Sequence, residues 1–190
     1  RTRLFALIEA TPHLDWLLLT KRPENMTQMT PRTWSKDWPD NVWAMTSVEN
    51  QEYADSRIPE LLKVPAKIRG LSVEPLLGPV DLMDSCCGTH RGRVLDGRNE
   101  GWGIHWVIIG GESGPHARPC YLEWVQDLAR QCQEAGVACF VKQLGAFITT
   151  KPHTQVSATR TDYTRLRLRD PKGGDPAEWP ADLRVREFPK

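Results

Sequence analysis

The sequence predicts an α/β fold: an incomplete (β/α) barrel of about five parallel strands, lacking the N-terminal units of a full ring. Five segments support this, each apolar along its length and polar at its end: Trp16 to Arg22, Val42 to Glu49, Ile68 to Glu74, Trp106 to Gly114 and Val137 to Gln143. Apolar runs of this kind belong to strands buried on both faces, as in parallel sheets. Their starts recur at intervals close to the roughly thirty residues of a strand-helix-strand unit. The tight two-residue hairpins that an antiparallel sheet would use are absent. An open doubly wound sheet is the alternative. The barrel is preferred because Trp, Thr, Glu and Lys at successive strand ends suit a ring around one mouth.

In chain order, Leu4, Leu7 and Ile8 fall at helical spacing and Thr11-Pro12 ends the pattern. The first strand, from Trp16 to Thr20, closes at Lys21-Arg22-Pro23. Residues 24–41, with Pro31, Pro39 and two Trp, suit at most a short helix in a long connection. After the strand from Val42 to Val48, a helix carries Ala54, Ile58, Leu61 and Leu62 on one side, with Pro59 tolerable where a new turn begins. The strand from Ile68 to Val73 leads to Glu74-Pro75. Residues 84–103, rich in Gly, Arg and Asp, read as an excursion that packs against nothing. The strand at 105–110 precedes a helix striped by Leu122, Val125, Leu128, Ala129 and Cys132, which Gly136 stops. The last strand, from Val137 to Val141, ends at Lys142-Gln143. Residues 1–150 thus form the partial barrel, with an insertion at 84–103. Residues 151–190 form a polar C-terminal tail lying over it, with Arg at 160, 165, 167 and 169.

The 190 residues suffice for one domain with a real core. With 25 Lys plus Arg against 24 Asp plus Glu, no global field draws the chain to nucleic acid or a membrane surface. No apolar run has the length of a membrane span and no secretion signal opens the chain, so a soluble, cytoplasmic protein with no membrane partner is expected. Arg1 stands inside the first helical pattern, so the natural polypeptide is expected to extend upstream. The cysteines, Cys86, Cys87, Cys120, Cys132 and Cys139, are odd in number and show no framework spacing, so reduced thiols are expected. Cys86-Cys87 with His90 lacks a second ligand pair, and Cys132 and Cys139 fall on buried faces as small hydrophobes.

Parallel strands would collect Lys21, Arg22, Ser47, Glu49, Glu74, Glu112, Ser113, Lys142 and Gln143 on one rim, where a barrel keeps its active site. The competing reading is that these charges only neutralise one another. Gly110-Gly111-Glu112-Ser113-Gly114 adds backbone freedom and free amide donors, as a close-approaching ligand requires, yet it is neither a dinucleotide fingerprint nor a P-loop. Arg118 could clamp an anion bidentately or pair with a neighbouring carboxylate. The eight Trp could stack on bases, though several sit in strand or helix stripes and so belong to the core.

The segments Leu18 to Pro23, Ser47-Val48-Glu49, Ser72 to Pro79, Gly110 to Gly114, Ala117-Arg118-Pro119 and Phe140 to Gly145 together resemble a phage and prophage family of unknown function. Its members begin with a three-cysteine motif and are thought to be radical S-adenosylmethionine-like. The resemblance covers residues 1 to about 150, and Trp179-Pro180 to Pro189 is similar to the family's tail. It implies a radical-type partial barrel, with a 4Fe-4S cluster on three N-terminal cysteines and S-adenosylmethionine across the strand ends. By charge complementarity, Ser47, Glu49, Glu74 and Glu112 would then hold amino and hydroxyl groups, and Lys21, Arg118 or Lys142 the carboxylate. Gly110, Gly111 and Ser113 would complete the cofactor site. The cysteine motif is not in this sequence, and residues 84–103 look inserted relative to the family's short link. The chain is therefore expected to be the C-terminal portion of such an enzyme or a cluster-free relative, inactive alone. Its implied substrate is a macromolecule such as nucleic acid or protein. The alternatives are a non-catalytic nucleic-acid-binding module built on Arg160, Arg165, Arg167 and Arg169, or a degenerate barrel with structural rim charges.

Overall fold

The computed structural model describes residues 1–83, 94–95, 103–150 and 164–189. Helix α1 (Thr2–Ala10) leads into strand β1 (Trp16–Thr20), followed by short helical turns that include α2 (Met26–Met29). Strand β2 (Val42–Ser47), helix α3 (Gln51–Leu62), strand β3 (Arg69–Val73) and strand β4 (Trp106–Gly110) come next. A two-residue strand β5 (Cys120–Tyr121) precedes α4 (Leu122–Ala135), then β6 (Ala138–Gln143), β7 (Ile148–Thr150) and β8 (Thr164–Arg165) complete the order.

Five strands form one wholly parallel sheet in the order β1-β2-β3-β4-β6. The order follows the chain without reversing, so the sheet lacks the switch point of a doubly wound fold. Strand alternation explains why the helices occupy one face. Val42, Ala44, Leu71, Val73, Val107, Ile109, Cys139 and Val141 point to that face and pack with Ile8 of α1, Ala54, Ile58 and Leu61 of α3, and Val125, Leu128 and Cys132 of α4. The opposite face carries Trp43, Met45 and Trp106, with Ile68, Ile108, Ala138 and Phe140 against them. At its β1 margin this inner face is uncovered, and Leu17 and Leu19 are 43% and 53% exposed.

Helix boundaries follow local chemistry. The Asn50 side chain caps α3 by accepting from the Tyr53 amide at 3.1 Å, and the helix runs unbroken through Pro59. Gly136 ends α4 at φ +69°, a left-handed conformation that suits glycine.

Two expectations need correction. The chain beyond Phe147 is more than a polar covering. A second sheet, β5-β7-β8, pairs Cys120 with Ile148 in parallel and Thr149 with Arg165 antiparallel, while Trp179 and Leu183 enter the main core at 2% and 0% exposure. The Val185 carbonyl, the Glu187 amide and a bridge from Arg186 to Phe140 close the outer edge of β6. Next, Val94 and Leu95 are buried, so the stretch read as a free excursion contributes to the core, although Cys86, Cys87, His90 and most of 84–103 lie outside the described residues. As expected for several of the tryptophans, Trp34, Trp38, Trp43, Trp106 and Trp179 are buried, so these five offer no stacking surface for bases. Trp102 lies outside the described residues.

Candidate functional site at the strand ends

Because the five strands are parallel, their C-terminal ends meet along one rim, and alternation places Lys21, Ser47, Glu49, Ser72, Glu74 and Lys142 on the inner face. The inner face is thus graded along the strand direction. Trp43, Trp106 and Phe140 lie at the base, Met45 and Ile108 above them, the hydroxyls of Ser47 and Ser72 next, and the charges last. Ser47 and Ser72 face one another across β2 and β3 at 5% and 7% exposure, and neither hydroxyl has a hydrogen bond within the described residues.

Three acid-base pairs occupy the rim. The side chain of Glu49, 5% exposed, takes Lys21 Nζ on Oε1 and Arg57 Nη1 on Oε2, the latter at 2.7 Å. Arg57 also donates to the Ser47 carbonyl at 2.9 Å and lies 4.0 Å from the centre of the Tyr53 ring. Burial pushes the Glu49 carboxyl up, but the Lys21 hydrogen bond, the charges of Arg57 and Lys21 and its own backbone amide together outweigh that and hold it below the usual range. Glu74, at the end of β3, takes Lys142 at 2.9 Å and the Gln143 amide at 2.9 Å, and Gln143 donates on to the Gly111 carbonyl at 3.2 Å. Glu112 accepts from Arg118 Nε, Nη2 and backbone amide, each at 2.8 Å. Those side-chain and backbone hydrogen bonds bring its carboxyl down to about 2. The Glu112 hydrogen bond holds Arg118 charged, and the charges of Glu112 and Glu49 act in the same direction.

The glycines at the end of β4 are there for packing density. A Cβ on Gly111 would sit 2.2 Å from the Leu144 carbonyl oxygen, and one on Gly110 would sit 3.0 Å from the Glu74 carboxyl carbon. Gly110 therefore makes room for Glu74, and Gly111 lets the loop lie against the end of β6. Ser113 and Arg22 are exposed and stand apart from the three pairs; Arg22 uses its amide on the Thr20 hydroxyl.

Of the residues assigned to the rim, the structure brings together Lys21, Ser47, Glu49, Glu74, Glu112, Lys142 and Gln143, with Gly110, Gly111 and Arg118 beside them, and leaves out Arg22 and Ser113. Sequence reasoning missed Arg57 and Ser72. Arg57 lies on α3, three residues after the buried Ala54, so a cation beside an apolar helical stripe was its only signal. Ser72 could have been found by pairing it with Ser47 through alternation.

A cavity of about 1410 Å³ lies at the other end of the sheet, lined by Lys67, His105, Arg130, Cys132, Cys139 and Glu187 among others. Its cations are already engaged: Lys67 by Asp40, and Arg130 by Asp127 and Glu134. Burial, then the Arg69 charge, lowers the His105 pKa, and its Nδ1 accepts the Arg69 amide.

The described thiols do not fit a 4Fe-4S cluster. Cys120, Cys132 and Cys139 are buried, burial pushes Cys120 up to about 12, and no group of three His, Cys, Asp or Glu among the described residues could hold a metal ion. No helix among the described residues is long and apolar enough to cross a membrane.

Fold and rim define an α/β protein with a five-stranded parallel sheet that gathers paired charges at its C-terminal edge, the end where such sheets bind ligands. Residues 1–172 match the family described as "Protein of unknown function (DUF5131)", and the chain belongs to that family. The family description carries no activity. No curated protein and no solved structure matches the chain.

Proposed function

We propose that the rim binds a small zwitterionic ligand of the S-adenosylmethionine class, and that the chain is the C-terminal portion of a phage-type, radical S-adenosylmethionine-like barrel protein acting on a macromolecule such as nucleic acid. The observation that carries the binding reading is the meeting of three carboxylate-cation pairs with the hydroxyls of Ser47 and Ser72, which have no hydrogen bond among the described residues, on one rim of a parallel sheet. Such a surface offers carboxylates to an ammonium or sulfonium group, cations to a carboxylate, hydroxyls to sugar oxygens and an apolar floor to a flat ring. Among the described residues β1 is an edge strand, with Leu17 and Leu19 exposed on it, which supports the barrel reading, since a further strand would pair there. Chemistry dependent on an iron-sulfur cluster would need ligands other than the described cysteines, so no reaction step is assigned to this chain.

A thermal-shift titration tests the binding reading. A ligand bound only by the native state, at a hundred times its dissociation constant, adds about 2.7 kcal/mol of stability, or roughly 5–11 °C in Tm for a chain of this size. S-adenosylmethionine is expected to produce that shift in the wild type and not in Glu74→Gln. An equal shift in both would refute the site.

The second reading, nucleic-acid binding, rests on Arg165, Arg167 and Arg169, exposed at alternate positions while Leu166 and Leu168 turn inward. Arg165 is occupied by the Ala146 carbonyl and the Phe147 ring, and Arg169 by Glu178, which leaves Arg167 the freest of the three. Arg160 lies outside the described residues. Steep loss of oligonucleotide affinity with added salt, relieved in Arg167→Ala, would favour this reading.

A further inference from the structure

The three rim pairs share an asymmetry that bears on which ligand the proposed site would accept. In each pair the acid is the covered member and the cation the exposed one: side-chain exposures are 5% and 62% for Glu49 and Lys21, 20% and 54% for Glu74 and Lys142, and 27% and 57% for Glu112 and Arg118. An exposed lysine ammonium loses little on leaving such a pair, because water solvates it either way. The acid left behind is the costly member, since a covered carboxylate without a counter-charge is strongly disfavoured.

Among the described residues, Glu49 alone of the three has a second cation. Arg57 is 14% exposed, stays on Oε2, and is itself fixed by the Ser47 carbonyl and the Tyr53 ring. Lys21 occupies the other oxygen, Oε1. Its departure therefore leaves Glu49 neutralised. The other pairs lack this property. Without Lys142, Glu74 would keep only the neutral Gln143 amide, and Arg118 is anchored to Glu112 through three separate donors.

We propose that Lys21 is an exchangeable counter-ion: the ammonium group of a ligand takes its place on Glu49 Oε1, and the released Nζ pairs with the carboxylate of the same ligand. This rests on the rim-binding reading and adds a selection rule to it. The site accepts the α-amino acid end of a molecule as a unit, ammonium and carboxylate together. A ligand with the ammonium alone displaces Lys21 and leaves it without a partner. A ligand with the carboxylate alone brings a negative charge to Glu49. No covalent bond changes, and Arg57 serves as a positioning residue that keeps Glu49 ionised throughout.

The test is equilibrium dialysis at low salt of wild type and Lys21→Met, with S-adenosylmethionine and decarboxylated S-adenosylmethionine as probes. Lys21 is exposed, so the variant folds; its melting curve checks this. Wild type is expected to bind the zwitterion up to about fivefold more tightly than the decarboxylated probe, the size of one solvent-exposed ion pair at low salt. Lys21→Met is expected to bind both alike, through loss of affinity for the zwitterion. If wild type and variant show the same preference, Lys21 is not the carboxylate's partner, and the exchange is wrong while the rim reading stands. Equal binding of both probes by wild type also overturns the exchange. If wild type binds neither probe, the rim reading falls and the exchange falls with it.

Discussion

Replacing Arg57 by Met separates the two cations on Glu49. Removing one partner of a buried ion pair typically costs 3–5 kcal/mol, because the other charge is left without compensation. Here Lys21 remains on the other carboxylate oxygen, but at 62% exposure it is screened by solvent and compensates poorly. The change also removes the 2.9 Å hydrogen bond to the Ser47 carbonyl and the stack on Tyr53, each of the order of 1 kcal/mol. Arg57→Met should therefore destabilise by about 5 kcal/mol, the low end of that range together with these two contacts, which for a chain of this size lowers Tm by roughly 10–20 °C. Lys21→Met should cost under about 1 kcal/mol. Urea unfolding at neutral pH measures both. The pH dependence supplies a control with a definite sign. The native pKa of Glu49 is depressed, so its contribution is full above the unfolded value near 4.5 and disappears as pH falls through the native value. The gap between Arg57→Met and wild type should narrow over that acid range. Equal costs for the two substitutions, or a gap indifferent to acid, would refute the division of labour at Glu49.

Other outcomes follow from the same geometry. Gly111→Ala should destabilise by about 2–3 kcal/mol in urea unfolding, since its Cβ meets the Leu144 carbonyl at 2.2 Å and both contacting groups are backbone, whereas Gly114→Ala has nothing within 4 Å and incurs only its φ of +109°. An NMR titration of the Glu112 carboxyl should give a midpoint of about 2 in wild type and a value back near the ordinary range in Arg118→Met; the stability this group supplies is present above about 4.5 and lost as pH falls through about 2. Trp179→Ala should cost about 3–5 kcal/mol, because the ring is 2% exposed and its Nε1 donates to the Gly173 carbonyl at 3.0 Å; a change below about 1 kcal/mol would show that the C-terminal segment is dispensable.

The main sheet was legible because its strands announce themselves. Val42 to Ser47 is buried at every position, and a strand covered on both faces must be apolar on both, which no turn or exposed helix imitates. The rim was legible for a related reason: parallel strands all end at one side, so residues following five separate apolar runs are brought together whatever lies between. The second sheet was not legible. Cys120–Tyr121 and Thr164–Arg165 are two residues long, too short to show any period, and their pairing with Ile148–Thr150 is decided by the tertiary fold. The burial of Trp179 and Leu183 was hidden in the same way, inside a stretch whose surrounding charges dominate its composition. At the site, residue types were readable but partners were not. Glu112 and Arg118 lie six positions apart and their clamp could be guessed, whereas Lys142 on Glu74 spans 68 positions, and Arg57 comes from a helix that points no polar run at the rim.

The most direct test of the rim as a binding site is equilibrium dialysis of labelled S-adenosylmethionine against wild type and Glu74→Gln. Among the described residues the Glu74 side chain is held by Lys142 and Gln143, both at the rim, so the substitution leaves the core intact. The account predicts saturable binding by wild type and a loss of at least about tenfold in Glu74→Gln, the worth of one charged hydrogen bond. Binding of equal strength by both proteins, or none by wild type, would contradict it.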